Sequence, residues 1–145
     1  MQEENHVFDL YYFKQVCREN HLKITPQRVA IYKELLKSDT HPTTDAIYQN
    51  VKEEYPHISF DTVNRTLLTF AQSGIVDVIE TFGGAKRFDP TIKNHHHLHC
   101  AQCGKVFDFY NRAYDNLEVP EELHGQFQVT GKRVVLKGLC KECRP

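Results

Sequence analysis

The sequence predicts an α+β fold in two domains. Three observations carry this: four amphipathic helical segments in succession, two short β-forming runs around Gly83-Gly84, and a C-terminal third where short apolar stretches alternate with Cys and His. The helices and the hairpin together make a winged helix-turn-helix domain over residues 1–88, with the fourth helix as its reading helix and the hairpin as its wing. Residues 89–94 read as a hinge. Residues 95–145 read as a small α/β domain built around a four-cysteine zinc site. A chain of 145 residues can bury one ordinary core, or two small ones if something staples the smaller.

In chain order, Phe8, Tyr11, Tyr12 and Val16 recur at helical spacing and predict a helix over about residues 8–20. Cys17 falls within it as a small core residue. Thr25-Pro26-Gln27 is a helix start, Thr as N-cap and Pro at the first helical position, and Val29, Tyr32 and Leu36 form the expected buried face. After His41-Pro42-Thr43 a third helix carries Ile47, Val51 and Tyr55 and stops at Pro56. Ser59 or Asp61 caps the fourth, whose stripe is Val63, Leu67 and Phe70 and whose end is Gly74. That stripe leaves Thr62, Arg65, Thr66 and Thr69 on or near the open face, with Asn64 beside them. Such residues can reach base edges and phosphates, and a solvated helix face would carry them as well. Ile75–Phe82 and Ala85–Asp89 make the hairpin. In the second domain, strands are expected around Leu98, at 106–109, 127–130 and 134–136, with a helix over about 113–123.

Charge argues against a strong electrostatic footprint. The net charge is −1, and residues 1–90 hold ten Lys and Arg against thirteen Asp and Glu. Any nucleic-acid contact then depends on a few local charges. No apolar run approaches the roughly 18 residues of a membrane span, and Met1-Gln2-Glu3-Glu4-Asn5 lacks the basic-then-apolar order of a signal peptide. A soluble cytoplasmic protein without a membrane partner is expected.

Two constellations carry chemistry. Cys100-x-x-Cys103 and Cys140-x-x-Cys143 have the spacing of two thiolate knuckles sharing one tetrahedral Zn²⁺, a closed site that supports folding; a redox dithiol or a disulfide is the alternative. His95 and His97 lie two apart, so an extended strand projects both imidazoles from one face, although consecutive histidines also occur in solvated turns. Asp89 and Asp108 are the nearby carboxylates. A donor set of imidazole and carboxylate suits Mn²⁺ or Fe²⁺ and accepts Zn²⁺. His96 and His99 have no ligand role in this reading.

The ordered motifs Ile24-Thr25-Pro26-Gln27-Arg28, His41-Pro42-Thr43, Thr62-Val63 to Leu67, Arg87-Phe88-Asp89, His95-x-His97-x-x-Cys100-x-x-Cys103-Gly104-Lys105 and Cys140-x-x-Cys143 resemble the ferric uptake regulator family over about residues 22–143. Within it the chain looks most like the peroxide-sensing branch. The resemblance implies a homodimeric winged-helix repressor of double-stranded DNA operators, with the C-terminal domain as the dimerisation domain. It implies one structural Zn²⁺ per chain on Cys100, Cys103, Cys140 and Cys143. It implies one regulatory Fe²⁺ or Mn²⁺ per chain on His41, Asp89, His95, His97 and Asp108, with His41 and His95 as sites of oxidation. Arg28, Thr62, Asn64 and Arg65 are the implied DNA contacts, and Asn64 stands where the family usually has Tyr. Asn94 and Lys132 stand where iron sensors have histidines of a further metal site. The competing expectations are an iron-responsive repressor of metal-uptake genes and a metalloenzyme. No His-Glu-x-x-His motif or nucleophile and base pairing supports the enzyme, and none is expected.

Overall fold

The computed structural model describes residues 10–38, 40–79, 81, 85–91 and 94–145, and the chain divides into two compact units, Met1–Ile92 and Lys93–Pro145. Phe8 and the Gly83-Gly84 turn lie outside the described residues.

The first unit holds helices α1 (Leu10–Glu19), α2 (Pro26–Lys37), α3 (Thr44–Glu54) and α4 (Phe60–Gln72), then strands β1 (Asp77–Ile79) and β2 (Arg87–Asp89). Local chemistry sets the helix ends. Thr25, Thr43 and Ser59 each accept a hydrogen bond at a helix start, from the N–H of Arg28, Ala46 and Thr62 respectively. Of the two residues expected to cap α4, Ser59 does so. At its far end Gly74 takes φ +79°, and the N–H groups of Ile75 and Gly74 donate to the carbonyls of Phe70 and Ala71, closing a Schellman motif.

Two apolar stripes are rotated from their expected positions. On α1 the fully buried residues are Phe13 and Cys17, while Tyr11 is 75% exposed. On α2 Tyr32 is buried as expected, beside the fully buried Ile31 and Leu35, while Val29 and Leu36 are only half-buried. Phe13 explains the rotation of α1: it stacks on Tyr32 at 4.6 Å between ring centroids and meets Phe70 edge-on at 5.8 Å. The α4 stripe of Val63, Leu67 and Phe70 is buried as expected. Thr66 is not on the open face: it is buried, its hydroxyl donating to the Thr62 carbonyl at 2.8 Å.

The wing strands pair antiparallel, Val78 opposite Phe88, and Phe88 closes the core. An isolated bridge joins Thr43 to Arg87, so the segment before α3 lies along β2. His41 in that segment has φ +54°, a left-handed conformation that costs a non-glycine residue on the order of 1 kcal/mol.

The second unit is a three-stranded sheet in the order β4-β3-β5, with β3 (His96–Cys100) antiparallel to β4 (Val106–Phe109) and parallel to β5 (Val135–Gly138). A short helix α5 (Arg112–Asp115) and a 3₁₀ turn (Glu121–Leu123) occupy part of the stretch expected to be one helix over 113–123; between them the chain is irregular, and Pro120 precedes the turn. The strand expected at 127–130 does not form. No described strand pairs with it, and Phe127 is 70% exposed. Among the described residues of this unit, the buried apolar side chains are Cys100 and Val106; beside them are the buried His95, His96, His97 and His99. Such a unit needs other sources of stability.

Candidate metal centre

Cys100 ends β3, Cys103 follows one tight turn later, and Cys140 and Cys143 bracket the turn after β5. Pairing of β3 with β5 therefore brings both Cys-x-x-Cys motifs to one end of the sheet. The four Sγ atoms lie within 4.8 Å of one another, and Cys103 Sγ is 3.8 Å from Cys140 Sγ. A zinc tetrahedron with Zn–S near 2.3 Å has edges of about 3.8 Å, whereas a disulfide needs about 2.05 Å. The spacing is that of thiolate ligands. The N–H of Cys140 donates to Cys100 Sγ at 3.4 Å. Backbone N–H donors from Cys103 and Cys140 push the Cys100 thiol down to about 6, while hydrogen bonding to Cys140 and desolvation push Cys143 up to about 12. Four clustered thiols cannot all ionise without a cation. A dication fits this donor set.

Each unit by itself brings His and Asp residues together. In the second unit, His97 on β3 stands opposite Asp108 on β4, and His95, two residues before His97, shares their face. His97 Nε2 is 3.2 Å and His95 Nε2 is 3.5 Å from Asp108 Oδ1, and the two Nε2 atoms are 3.1 Å apart. Three donors thus converge, with both imidazoles essentially unexposed. In the first unit, His41 Nδ1 is 3.6 Å from Asp89 Oδ1, and both residues are buried. Asp89 Oδ1 also accepts from the N–H of Thr91 at 2.8 Å, which fixes the carboxylate. These clusters hold nitrogen and oxygen donors without sulfur, the set that suits Mn²⁺ or Fe²⁺.

The family model described as the ferric uptake regulator family matches residues 19–137. The chain belongs to the ferric uptake regulator family. It is 42% identical over 127 residues to the peroxide-responsive repressor PerR of Staphylococcus saprophyticus, covering 88% of this chain and 86% of that protein. Its fold matches the Campylobacter jejuni peroxide stress regulator with a TM-score of 0.65 at 28% identity, covering 94% of this chain and 100% of that one. It also matches the Vibrio cholerae ferric uptake regulator with a TM-score of 0.68 at 28% identity, covering 88% of this chain and 99% of that one.

In this ferric uptake regulator family chain the four residues expected to contact DNA lie in the first unit, in differing environments. Arg65 is exposed on α4 and paired with Asp61 at 3.0 Å. Thr62 is half-buried, its hydroxyl accepting from Ser59 at 2.9 Å. Asn64 is half-buried, its Oδ1 accepting from the Thr44 hydroxyl at 3.3 Å, which leaves the Nδ2 donors for other partners. Arg28 donates to the Lys23 carbonyl at 2.7 Å.

The partners of four residues were not legible from spacing. His96 is fully buried, its Nδ1 accepting from the N–H of Val134 at 3.0 Å and its Nε2 lying 2.7 Å from Asp115 Oδ1, so it ties β3 to the segment before β5 and to α5. Asn94 donates to the same Asp115 oxygen at 3.1 Å. Lys132, the other position where iron sensors of the family have a histidine, donates to the Leu117 carbonyl. Arg87 is the fourth, and its partners are the carbonyls of Thr40 and His41.

Proposed function

We propose that this chain is a metal-dependent DNA-binding transcriptional repressor that senses peroxide through its His and Asp ligands. The observation that carries the reading is the convergence of the buried His95 and His97 with the half-buried Asp108 into a cluster free of sulfur, beside a separate four-cysteine cluster. The PerR protein of S. saprophyticus supports the peroxide-responsive assignment.

Cys100, Cys103, Cys140 and Cys143 would hold one structural Zn²⁺ per chain, and its four thiolates leave no open position. His41 and Asp89 would join His95, His97 and Asp108 on one regulatory Fe²⁺ or Mn²⁺ per chain. Fe²⁺ held there would activate hydrogen peroxide and return to Fe²⁺ overall, whereas Mn²⁺ would supply charge alone. The side chains do the rest. Asp89 and Asp108 would offset the charge of the cation, and the imidazole of His41 or His95 would be the group oxidised: a ring C–H gives up two electrons, one peroxide oxygen ends on that carbon as C–OH and the other leaves as water. A modified imidazole is a poor ligand. The coupling between metal and DNA then falls; a hundredfold preference of the cation for the DNA-binding conformation corresponds to about 2.7 kcal/mol.

DNA contact falls to Arg28, Thr62, Asn64 and Arg65, with α4 as the reading helix. The operator is double-stranded DNA bound by a homodimer. The second unit supports dimerisation through a row of apolar side chains, Leu98, Phe107 and Leu136, which oppose one another across the sheet; Leu98 and Leu136 are exposed. No described helix is long and apolar enough to cross a membrane. As a regulator of transcription the protein would work in the cytoplasm. It is a regulator and not an enzyme, because the site's own histidines are consumed in the response.

DNA-binding anisotropy of the Fe²⁺-loaded and Mn²⁺-loaded protein, prepared without oxygen and exposed to a small excess of peroxide at one fixed salt concentration, tests this reading. Release from the iron form only is expected, together with one added oxygen on a peptide containing His41 or His95. Loss of binding on chelation alone, with no response to peroxide from either form, would identify a sensor of metal supply instead.

A further inference from the structure

We infer that Arg87 is a positioning residue for the His41 ligand, holding the backbone of residues 40 and 41 in the conformation that sets the imidazole against Asp89. The inference rests on the reading of His41 as a ligand. Its observations are separate from those of the metal cluster. His41 is one of two non-glycine residues with positive φ among the described residues, at +54°. The Arg87 Nη1 donates to the His41 carbonyl at 2.9 Å and to the Thr40 carbonyl at 3.2 Å. The strand reinforces this contact, because the N–H of Phe88 donates to the Pro42 carbonyl at 3.2 Å and Thr43 bridges to Arg87.

β2 thus handles His41 in two ways. Residues two apart on a strand share a face, so Arg87 and Asp89 project together while Phe88 turns into the core. Arg87 grips the backbone, and Asp89 faces the ring at 3.6 Å. A planar guanidinium with several fixed N–H vectors can hold two successive carbonyls at once, and a lysine ammonium offers no such fixed geometry. Without the grip, His41 is free to relax from its left-handed conformation, and the imidazole leaves its place beside Asp89. Outer groups that orient a ligand typically contribute 10–100-fold to metal affinity, so a loss of about tenfold is the expected scale.

The test is a double-mutant cycle read as Mn²⁺ affinity, by competition with a fluorescent chelator, on the full chain with its zinc retained. The variants are Arg87→Ala, His41→Ala and the pair, with Arg87→Lys carrying the cycle if Arg87→Ala does not fold. Arg87→Ala should weaken Mn²⁺ binding about tenfold, Arg87→Lys less, and the double variant should bind within about twofold of His41→Ala. In metal-free protein, amide exchange across residues 40–46 should quicken in Arg87→Ala. An equal loss from the Arg87 substitution in both backgrounds would show a general structural role and overturn the inference. So would an unchanged affinity in the Arg87 variants while His41→Ala weakens binding. An unchanged affinity in His41→Ala itself would instead remove His41 from the ligand set, and the inference with it.

Discussion

His97 and Asp108 are directly opposed residues of the β3–β4 ladder, and their Nε2 and Oδ1 atoms stand 3.2 Å apart. The register is what makes the metal cluster: a slip of one residue would send Asp108 to the other face of the sheet from His95 and His97. Asp108→Asn keeps the shape and removes the charge. Mn²⁺ affinity should fall by more than the roughly tenfold expected for Arg87→Ala, while zinc content stays at one per chain. Competition titration and elemental analysis check both halves of this expectation.

Zinc removal should act on the second unit first. Its buried apolar side chains, among the described residues, are Cys100 and Val106, whereas the first unit packs Phe13, Ile31, Leu35, Leu67, Phe70 and others around one core. Chelation, or Cys143→Ser, should abolish the near-native amide protection of β3 and β5 and leave that of α2 to α4 largely intact. Hydrogen exchange resolved by peptide distinguishes this from cooperative unfolding of the whole chain. Uniform loss of protection would count against a zinc-stapled second unit.

Much of the first unit was legible because its signals are local. Thr25, Ser59 and Gly74 mark helix ends through bonds to residues a few positions away, and the α4 stripe has a single plausible period. Spacing alone puts the α1 stripe on Tyr11 because a run of aromatic residues supports two helical registers, and only the Phe13 contacts with Tyr32 and Phe70 decide between them. The thiolate cluster was legible as two knuckles of fixed spacing. The environment of His96 was not: its partners Asp115 and Val134 lie 19 and 38 residues along the chain. The alternating run at 127–130 misled for the converse reason, since periodicity supplies a strand with faces but no neighbour to bond.

Base readout by Asn64 should depend on Thr44. With Oδ1 accepting from the Thr44 hydroxyl, the amide presents donors, which favours an acceptor edge such as guanine O6 and N7 over the donor and acceptor pair of adenine. Thr44→Val removes that hydroxyl and lets the amide turn. Operator selection with the two proteins should differ at one base-pair position per half-site, with discrimination of about 1–3 kcal/mol at that position. Identical selected sequences would show that Thr44 does not set the amide.

The aromatic cluster should dominate the stability of the first unit. Phe70 is fully buried and meets both Phe13 and Tyr32 edge-on, at 5.8 Å and 6.2 Å. Phe70→Ala should cost about 3–5 kcal/mol, read from denaturant unfolding followed by far-ultraviolet circular dichroism. Tyr11→Ala, at an exposed position of α1, should change stability by less than about 0.5 kcal/mol.

Salt dependence separates charge from shape in DNA binding. With a net charge of −1, the chain offers little long-range attraction, so each cation at the interface should be visible in the slope of affinity against salt. Arg65 is held by Asp61 at 3.0 Å, and both side chains are 71% exposed, so the pair is weak and a phosphate can compete for the guanidinium. Arg65→Ala should lower affinity for all sequences and reduce the slope by about 1 if the contact is to phosphate. It should relax preference at one base pair if the contact is to a base edge. Asp61→Ala frees the guanidinium and should strengthen binding, most at low salt. Anisotropy titrations of the Mn²⁺-loaded variants across a salt series read these outcomes together, and an unchanged slope with unchanged preference in Arg65→Ala would remove that residue from the interface.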